Sequence, residues 1–399
     1  MAHTQVDIFI SGGGIAGLVT AAAFGHAGFS VLLADPAPPP LDAADAGADL
    51  RSTAFLQPAR TLFKQIGLWD VLAPHAVSLD ALRIVDTTGW PPAIAETRSF
   101  SPTDLGMNRF GWNLPNRLIH SEVLRFIQKQ PNIALALGAG FATMLARSRE
   151  ALVTLTDGRR LRARLVIGAD GRASPVREAA GIGVKTIRYG QKALAFTATH
   201  LLAHDNISTE IYNQGGALTT VPLPDHQGQP ASAIVWMNAG ARALALAALP
   251  EAEFNAEMTK RACGLLGPMR RAGDLRIWPV ITQRATHLTA ERTALVAEAA
   301  HVLPPIGAQG LNTSLHDVAT LCDLAKSTPS DLGTPDQLAQ YAKARERDIA
   351  RRARAIDLFN RICQSGQPPL QALRRAGLKA THDIRPLRQA IMRAGLGNR

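Results

Sequence analysis

Glycines and one aspartate near the N-terminus have the spacing of a dinucleotide-binding turn. The turn pattern G-x-G-x-x-G comprises Gly12, Gly14, Ile15, Ala16 and Gly17. Asp35 follows 18 residues after the last glycine (35 − 17). The turn lies between a predicted strand, residues 6–10, and a predicted helix, residues 15–27, and a second strand, residues 30–34, ends at Asp35. In this context the glycines permit a tight turn, backbone approach to a pyrophosphate and close helix packing, while the carboxylate accepts hydrogen bonds from a ribose. The pattern predicts a dinucleotide site without choosing between FAD and NAD.

A second stretch, residues 295–317, has the residue types of another ligand site. It is predicted to form a short buried strand over residues 293–297, a turn rich in Pro and Gly, and a helix from about Gly310 to Lys326. A helix start after such a turn leaves backbone N–H groups free for a polar, anionic or electron-rich ligand. The candidate contact residues are Glu298, Pro305, Gly307, Gly310, Leu311 and Asn312.

Two further segments follow predicted strands. A strand over residues 161–167 runs into Asp170 and Gly171, which we predict to lie at the carboxyl edge of the sheet; the alternative is a plain turn with Ser174 as helix N-cap. Arg51 comes directly after a Pro-, Ala- and Asp-rich stretch, residues 36–49, that predicts a loop. Arg51 is predicted to lie near the nucleotide phosphates, with a surface salt bridge as the alternative.

Length and composition limit the class of protein. A chain of 399 residues with 46% hydrophobic content predicts two closely packed domains. No stretch approaches the roughly 18 uninterrupted apolar residues of a spanning helix, and no export signal is visible, so we expect a cytoplasmic protein. The three cysteines lack metal-ligand spacing, and no metal site is predicted.

The positive charge is concentrated near the C-terminus. Residues 340–399 contain 14 Lys and Arg against 4 Asp and Glu, a balance of 14 − 4 = +10, whereas the whole chain carries +11. The segment is predicted to be helical from about residue 334 to 364, with shorter helices after Pro368 and Pro369. Such a segment favours an anionic partner, lipid headgroups or nucleic acid, or else forms a solvated helical face. Few aromatic residues lie among its arginines, so we do not expect nucleic-acid binding.

Three motifs in this order resemble the FAD-dependent aromatic hydroxylases of the para-hydroxybenzoate hydroxylase fold. They are residues 12–17 with Asp35, residues 168–172, and residues 298–317. Within that group, residues 300–312 with Asp317 look like the ubiquinone-biosynthesis hydroxylases that act on polyprenylated phenols. Segments similar to Arg51-Ser-Thr-Ala and Asn116-Arg117 occur in that family, which adds Arg117 to the candidate cofactor contacts.

The resemblance implies an α/β fold with a Rossmann-like FAD-binding domain, an inserted antiparallel-sheet substrate domain and a basic helical C-terminal region. The expected boundaries are 1–78, 105–183 and 285–333 for the FAD-binding domain, 79–104 and 184–284 for the substrate domain, and 334–399 for the C-terminal region.

The resemblance also implies an activity. FAD reduced transiently by NADH or NADPH would react with O2 through a flavin hydroperoxide and hydroxylate a lipophilic prenylphenol. The turn at residues 12–17 would hold the adenine half of FAD, and residues 295–317 the ribityl and isoalloxazine end. A base for the phenol proton is expected but not identified, and His301 is a weak candidate because the family has it in its FAD motif. The basic C-terminal region predicts peripheral contact with the anionic inner membrane, and a complex with other ubiquinone-pathway proteins is conceivable.

The chain departs from the family pattern at three positions. Ala297-Glu298 stands where Gly-Asp is usual, Ser314 replaces a glycine, and His316 replaces Arg or Gln. Two other interpretations are a soluble aromatic-catabolism hydroxylase acting on a small phenol, and a non-catalytic flavin- or lipid-binding accessory subunit. The Pro-Pro-Ile-Gly-Ala-Gln-Gly-Leu-Asn run and the basic C-terminal region disfavour the aromatic-catabolism hydroxylase. The three departures from the family pattern favour the accessory subunit.

Overall fold

The computed structural model describes residues 4–37 and 51–397, so most of the predicted loop at residues 36–49 lies outside the described residues. The strands are β1 (Thr4–Ser11), β2 (Val31–Asp35), β3 (Ser52–Leu56), β4 (Val77–Leu79), β5 (Ala81–Thr88), β6 (Ala93–Phe100), β7 (Gly111–Pro115), β8 (Ile133–Leu137), β9 (Phe141–Ala146), β10 (Ala151–Leu155), β11 (Arg160–Gly168), β12 (Val184–His200), β13 (Ile207–Asn213), β14 (Gly216–His226), β15 (Gln229–Ala239), β16 (Met269–Ala285), β17 (Thr289–Ala290), β18 (Thr293–Leu295) and β19 (His301–Val302).

The helices alternate with these strands in the first part of the chain and dominate its end. They are α1 (Ile15–His26), α2 (Gln57–Gln65), α3 (Trp69–Leu72), α4 (Asn116–Gln128), α5 (Pro175–Ala179), α6 (Gly240–Ala247), α7 (Glu251–Arg261), α8 (Ala297–Ala300), α9 (Gln309–Ser327), α10 (Pro335–Gln364), α11 (Pro368–Asp383) and α12 (Arg385–Leu396).

The first sheet has the topology of a dinucleotide-binding domain. Its main strand order is β17-β18-β11-β1-β2-β8, and β1 pairs in parallel with both β2 and β11. Helix α1 follows β1 directly, and residues 16–25 of this helix are all buried. An all-apolar helix of this kind belongs inside a protein. Because parallel strands end at one edge, β1, β11 and β18 bring the three predicted ligand segments together.

The second sheet is built largely around residues 187–236, where alternating apolar and polar residues predict antiparallel strands. Its eight strands run in the order β19-β16-β12-β15-β14-β13-β5-β6. The pairings are antiparallel except that of β13 with β5. Helices α6 and α7 cover one face, where Phe196, Trp236 and Phe254 form a separate core. The opposite face of the second sheet is directed towards the first sheet.

The predicted fold class is confirmed, and three local features were not predicted. The sequence predicts a strand over residues 275–282, but β16 begins six residues earlier, at Met269 (275 − 269). The strand predicted over residues 293–297 ends at Leu295, and residues 297–300 form a helical turn. Residues 301 and 302 then pair with β16, so the Pro-Gly turn is joined to the second sheet.

The C-terminal helices pack onto the body of the protein. The apolar side of α10 is buried: Ala353, Ile356 and Cys363 form one cluster with Leu303 and Ile306 of the Pro-Gly turn. Helix α11 is held to β5 by a buried ion pair between Arg374 and Asp86. Helix α12 is held to residues 102–105 because Arg388 contacts the Asp104 carboxylate at 2.9 Å. No helix within residues 4–37 and 51–397 is long and apolar enough to cross a membrane.

A buried charge network connects α10 to the dinucleotide domain. Asp317 on α9 is fully buried and contacts Arg345 Nε at 2.7 Å and His301 Nε2 at 2.6 Å. Arg345 also donates to Asp348 at 2.9 Å and to His316 Nδ1 at 2.9 Å. Burial alone would raise the pKa of Asp317, but the charges of His301 and Arg345 outweigh it and lower that pKa. Asp317 therefore stays ionised inside the protein.

Replacing Arg345 with methionine should destabilise the fold strongly. Arg345→Met keeps an unbranched side chain of similar length but leaves Asp317 without its guanidinium partner in a buried site. We expect the free energy of unfolding to fall by about 3–5 kcal/mol, measured by urea denaturation. The control is Arg351→Met on the same helix, because the Arg351 side chain is 72% exposed and lies 3.6 Å from Asp348. That variant should change stability by less than about 0.5 kcal/mol, and equal losses in the two variants would contradict the assignment.

Candidate functional site

A cavity of about 1200 Å³ lies between the carboxyl edge of the first sheet, the open face of the second sheet and the C-terminal helices. Its volume exceeds the roughly 300–1000 Å³ typical of a site for one drug-sized ligand. Most of the predicted site residues line it: Gly14, Ile15, Ala16, Arg51, Arg117, Gly171, Glu298, His301, Pro305, Gly307, Gly310 and Leu311. The cavity therefore unites the three motifs that are far apart in the sequence, and it has room for more than one molecule.

The glycines of the first turn divide into two roles. A Cβ on Gly17 would lie 1.9 Å from the Gly12 carbonyl oxygen, and one on Gly12 would lie 2.4 Å from the Ala169 oxygen. These two positions allow β1, α1 and β11 to approach each other. A Cβ on Gly14 would meet nothing within 4 Å, and no side chain caps the α1 N-terminus there. The backbone N–H groups at the start of α1 face the cavity, where they are available to bind a pyrophosphate.

The two aspartates at the strand ends lie beside the cavity lining rather than within it. Asp35 accepts hydrogen bonds from Gly13 N at 2.6 Å and from Ala37 N at 2.9 Å. Asp170 accepts from Ser11 Oγ at 3.0 Å and from Val176 N at 3.1 Å, and burial raises its pKa. Both carboxylates thus hold the backbone around the glycine turn. A carboxylate has about four acceptor sites, so each retains capacity for a ligand hydroxyl.

The helix start at residues 308–312 is fixed by Asn312. Its Nδ2 donates to the carbonyls of Ala54 and Ala308, each at 2.7 Å, and its Oδ1 accepts from Leu56 N at 2.9 Å. Asn312 therefore anchors α9 to β3, and the cavity is lined instead by its neighbours Gly310 and Leu311. No side chain caps the α9 N-terminus. The helix dipole, equivalent to roughly half a positive charge, is directed at the cavity.

The three departures from the family pattern have clear structural positions. Ala297 has φ = 57°, in the left-handed region that a glycine adopts without steric cost. Glu298 is exposed and lines the cavity. Ser314 donates to the Gly310 carbonyl at 3.1 Å, and His316 joins the Arg345 network. None of these residues blocks the cavity.

His301 is buried beside the Pro-Gly turn and lines the cavity. Its Nε2 is engaged with Asp317, which also contacts Arg345 on α10. One ring nitrogen is thus committed to a structural carboxylate. This geometry favours a role in holding the turn, and a catalytic role for His301 stays a prediction.

The structure places at the site several residues that the sequence analysis did not identify. His120 Nε2 lies 2.8 Å from the Gly13 carbonyl; its position three residues after Arg117, on the same side of α4, was the available hint. Arg177 is buried and donates to the carbonyls of Ala299 and Arg172, each at 2.9 Å. It therefore ties the turn after β11 to α8.

A polar cluster on the second sheet was also missed. Tyr212 donates to Glu210 on the same strand, and Asp86 on the neighbouring strand β5 pairs with Arg374 of α11. All four residues line the cavity and are buried. Burial raises the pKa of Asp86 despite the nearby Arg374. The sequence offered no means of placing Arg374, because its partner lies 288 residues away.

Comparisons with known proteins agree with this site. The FAD binding domain family matches residues 5–355. The ubiquinone hydroxylase UbiL of Rhodospirillum rubrum is 33% identical over 99% of this chain and 90% of its own length. The 3-demethoxyubiquinol 3-hydroxylase of Escherichia coli is 27% identical over the full length of both chains, 100% of each.

Solved structures show the same fold at lower identity. The p-nitrophenol 4-monooxygenase PnpA of Pseudomonas putida superposes with a TM-score of 0.80 at 18% identity, covering 99% of both chains. PqsL of Pseudomonas aeruginosa, in complex with 2-aminobenzoylacetate, gives a TM-score of 0.78 at 20% identity, covering 91% of this chain and 98% of its own. Identities this low establish the fold alone.

A methyl group at Gly14 should weaken cofactor binding without disturbing the fold. Gly14→Ala is sterically allowed in the protein itself but places a carbon where a pyrophosphate must approach the backbone. We expect FAD to bind about tenfold more weakly, a change of about 1.4 kcal/mol, by fluorescence titration of the apoprotein. The control is Gly183→Ala, where the added Cβ would lie an ordinary 3.7 Å from Thr286. Unchanged FAD affinity in Gly14→Ala would argue against this position for the pyrophosphate.

The cavity geometry, the family match over most of the chain and the similarity to relatives over 90–100% of their own lengths lead to one assignment. The residues fit the cofactor, because the glycine turn is open at Gly14 and two uncapped helix N-termini face one cavity. The chain therefore belongs to the FAD binding domain family and, within it, to the FAD-dependent monooxygenases of the ubiquinone-biosynthesis hydroxylase type.

Proposed function

We propose that the protein hydroxylates the aromatic ring of a polyprenylated phenol in ubiquinone biosynthesis. The observation that carries this proposal is the continuity of one cavity from the dinucleotide turn to an apolar compartment under the C-terminal helices. Bound FAD, reduced by NADH or NADPH, supplies the activation of O2. The protein supplies orientation, electrostatics and the exclusion of water.

The cofactor would lie along the carboxyl edge of the first sheet. In this proposal the pyrophosphate contacts the amides at Gly14 and Ile15, with Arg51 and Arg117 nearby. Gly310 at the α9 N-terminus would help to hold the ring system, and the helix dipole would stabilise negative charge on the reduced cofactor there. Pro304 and Ile306 are buried behind this position and keep water out.

The substrate would occupy the apolar half of the cavity. The walls there come from the second sheet, residues 102–115 and the last two helices, and the apolar lining includes Leu79, Leu82, Phe100, Phe110, Val221, Leu378, Met392 and Leu396. A small hydrophilic phenol would leave these side chains without contacts. A prenyl chain would fill the space and gain about 25 cal/mol for each Å² of apolar surface removed from water.

The activity can be tested with purified protein. Incubation with FAD, NADH or NADPH, O2 and a polyprenylphenol should give a product heavier by one oxygen atom, which comes from O2 when isotopically labelled gas is used. Phenol without a prenyl chain is the control and should be hydroxylated at least about tenfold less efficiently, because about 1.4 kcal/mol of tail burial suffices for that difference. A preference for the small phenol would instead support the aromatic-catabolism interpretation.

The same test has a cellular counterpart. A strain lacking the gene should accumulate the prenylphenol that precedes the missing hydroxylation. Normal ubiquinone in that strain, without a second hydroxylase to account for it, would contradict the proposal.

We further propose that the protein docks on anionic membranes through α11 and α12. Large apolar side chains on these helices and at Ile384 between them are exposed: Leu373 at 55%, Ile384 at 52%, Leu387 at 38% and Ile391 at 46%. Leu373 and Ile391 also line the cavity, so its opening lies at this surface. The same two helices carry the basic residues Arg375, Lys379, Arg385 and Arg393. An apolar patch on basic helices suits an anionic bilayer, since each basic residue near it contributes about 1 kcal/mol.

Membrane docking predicts a specific loss of vesicle binding. Wild-type protein should float with vesicles containing phosphatidylglycerol and less with pure phosphatidylcholine. The double variant Ile384→Glu and Leu387→Glu should lose most of this binding, because it introduces two negative charges into the patch. The control is Leu145→Glu, which alters a leucine of 55% exposure on β9. Equal flotation of the double variant and wild type would contradict docking through this surface. A complex with other ubiquinone-pathway proteins stays a prediction.

A further inference from the structure

Strand β13 presents an unexpected acidic residue to the substrate half of the cavity. Side chains alternate along a strand, and Ser208, Glu210 and Tyr212 line the cavity while Ile211 belongs to the core on the opposite face. Glu210 lies directly across from Ile84 on β5, in the middle of the apolar wall. A carboxylate at this position is costly unless it has a function or a partner.

The partners of Glu210 are neutral. Its carboxylate accepts a hydrogen bond from the Tyr212 hydroxyl, and the Gly307 backbone N–H is a second donor close enough to lower its pKa. Within the described residues Glu210 forms no salt bridge, and only 7% of its surface is exposed. Two donors leave about two of the four acceptor positions of the carboxylate unused. Glu210 can therefore accept a further hydrogen bond from a ligand in the cavity.

Glu210 lies near the expected position of the reacting end of the substrate, which is its aromatic ring. Gly307 belongs to the Pro-Gly turn, which precedes the α9 N-terminus that would face the cofactor ring. A carboxylate in contact with this turn lies where the aromatic ring of the substrate must be, whereas the prenyl chain extends towards α11 and α12. The hydroxyl of a phenol is the donor that such a carboxylate would receive.

We propose that Glu210, oriented by Tyr212, is the catalytic residue that accepts the phenol proton. The inference rests on the proposed function. In this step the phenol O–H bond breaks, its electron pair stays on the phenolate oxygen and the proton moves to the carboxylate. The resulting phenolate is more electron-rich and activates the ring carbon for oxygen transfer. The proton returns to the oxygen afterwards, so the step needs no additional oxidant or reductant.

Other polar groups of the cavity suit this role less well. Asp86 forms an ion pair with Arg374, and the Nε2 atom of His301 contacts the Asp317 carboxylate. Burial raises the pKa of Glu210, which makes its carboxylate a stronger base than an exposed one. Burial and the charge of Glu210 raise the pKa of Tyr212 well above its ordinary value, so Tyr212 remains a donor at neutral pH. The ionisable groups near the pair on the surrounding elements are Asp86 on β5, Cys363 on α10 and Arg374 on α11, whereas Arg261 on α7 donates to the backbone carbonyls of Ile211 and Gly216.

The test compares Glu210→Gln with wild-type holoenzyme. Glutamine has the same shape and keeps the acceptor for Tyr212, but it cannot take a proton. With a polyprenylphenol as substrate, kcat should fall about 100-fold while KM changes little. In the wild type, kcat should rise with pH through a group whose pKa lies above the ordinary glutamate value of 4.5, because only the ionised carboxylate is active. This acidic limb should vanish in Glu210→Gln, and Glu210→Asp should restore part of both activity and pH dependence.

The matched control is Glu257→Gln. Glu257 lies on α7, far from the cavity lining, and pairs at the surface with Arg242 and Lys260. This control should keep wild-type kcat and pH profile. FAD content and NAD(P)H-driven cofactor bleaching should match wild type in all three variants, which separates proton transfer from a structural effect.

The outcomes separate the inference from the proposed function. Wild-type hydroxylation together with an unchanged pH profile in Glu210→Gln would overturn the inference alone. Loss of FAD in Glu210→Gln would also overturn it, because the residue would then be structural. Failure of the wild type to hydroxylate any prenylphenol would overturn the proposed function and the inference with it.

Discussion

The buried carboxylate of Asp317 is the contact on which the arrangement of the site depends. It is inaccessible to solvent, yet it receives Arg345 from α10 and His301 from the end of the Pro-Gly turn. An ionised carboxylate in such a place needs these partners, because each buried ion loses several kcal/mol of hydration. The requirement holds three separate elements together. Helix α9, the turn before it and the long helix α10 can satisfy the charge only in one relative position.

That relative position creates the cavity. With His301 and Val302 paired to β16, the Pro-Gly turn bridges the first and second sheets. The α9 N-terminus then faces the same space as the glycine turn after β1. Arg177 secures the opposite side by joining the turn after β11 to α8. The electrostatic features that suit a flavin therefore arise from elements fixed by buried polar contacts and not by the ligand.

The C-terminal helices serve the fold and the cavity at once. Ala353, Ile356 and Cys363 on α10 pack against Leu303 and Ile306, so this side of the helix belongs to the protein interior. Helices α11 and α12 instead cover the apolar half of the cavity and leave hydrophobic side chains exposed at its opening. Arg374 holds this cover in place through Asp86. Two of the basic residues that the sequence associated with a membrane, Arg345 and Arg374, are thus internal structural contacts, whereas others remain at the surface.

The sequence by itself determined the features that depend on residues close to one another in the chain. The glycine turn between β1 and α1, the helices α1, α9 and α10, and the alternation of the second sheet follow from periodicity and from the φ angles that glycine allows. Three motifs in order carried the family resemblance that implied the fold class. The close approach of Gly12 and Gly17 to β11 is a consequence of the same pattern.

Only the tertiary structure decided which polar residues meet. Asn312 and Glu210 illustrate the reason. Asn312 is hydrogen-bonded to backbone groups of β3 that are distant in the sequence, a role that the sequence did not predict, and its contact with the cofactor stays a prediction. Glu210 stands in a strand whose alternation does not reveal which face is the cavity, and its acidic character becomes meaningful only once Gly307, nearly one hundred residues later (307 − 210 = 97), lies beside it. Pairings of this kind are set by the docking of whole elements, which no local pattern encodes.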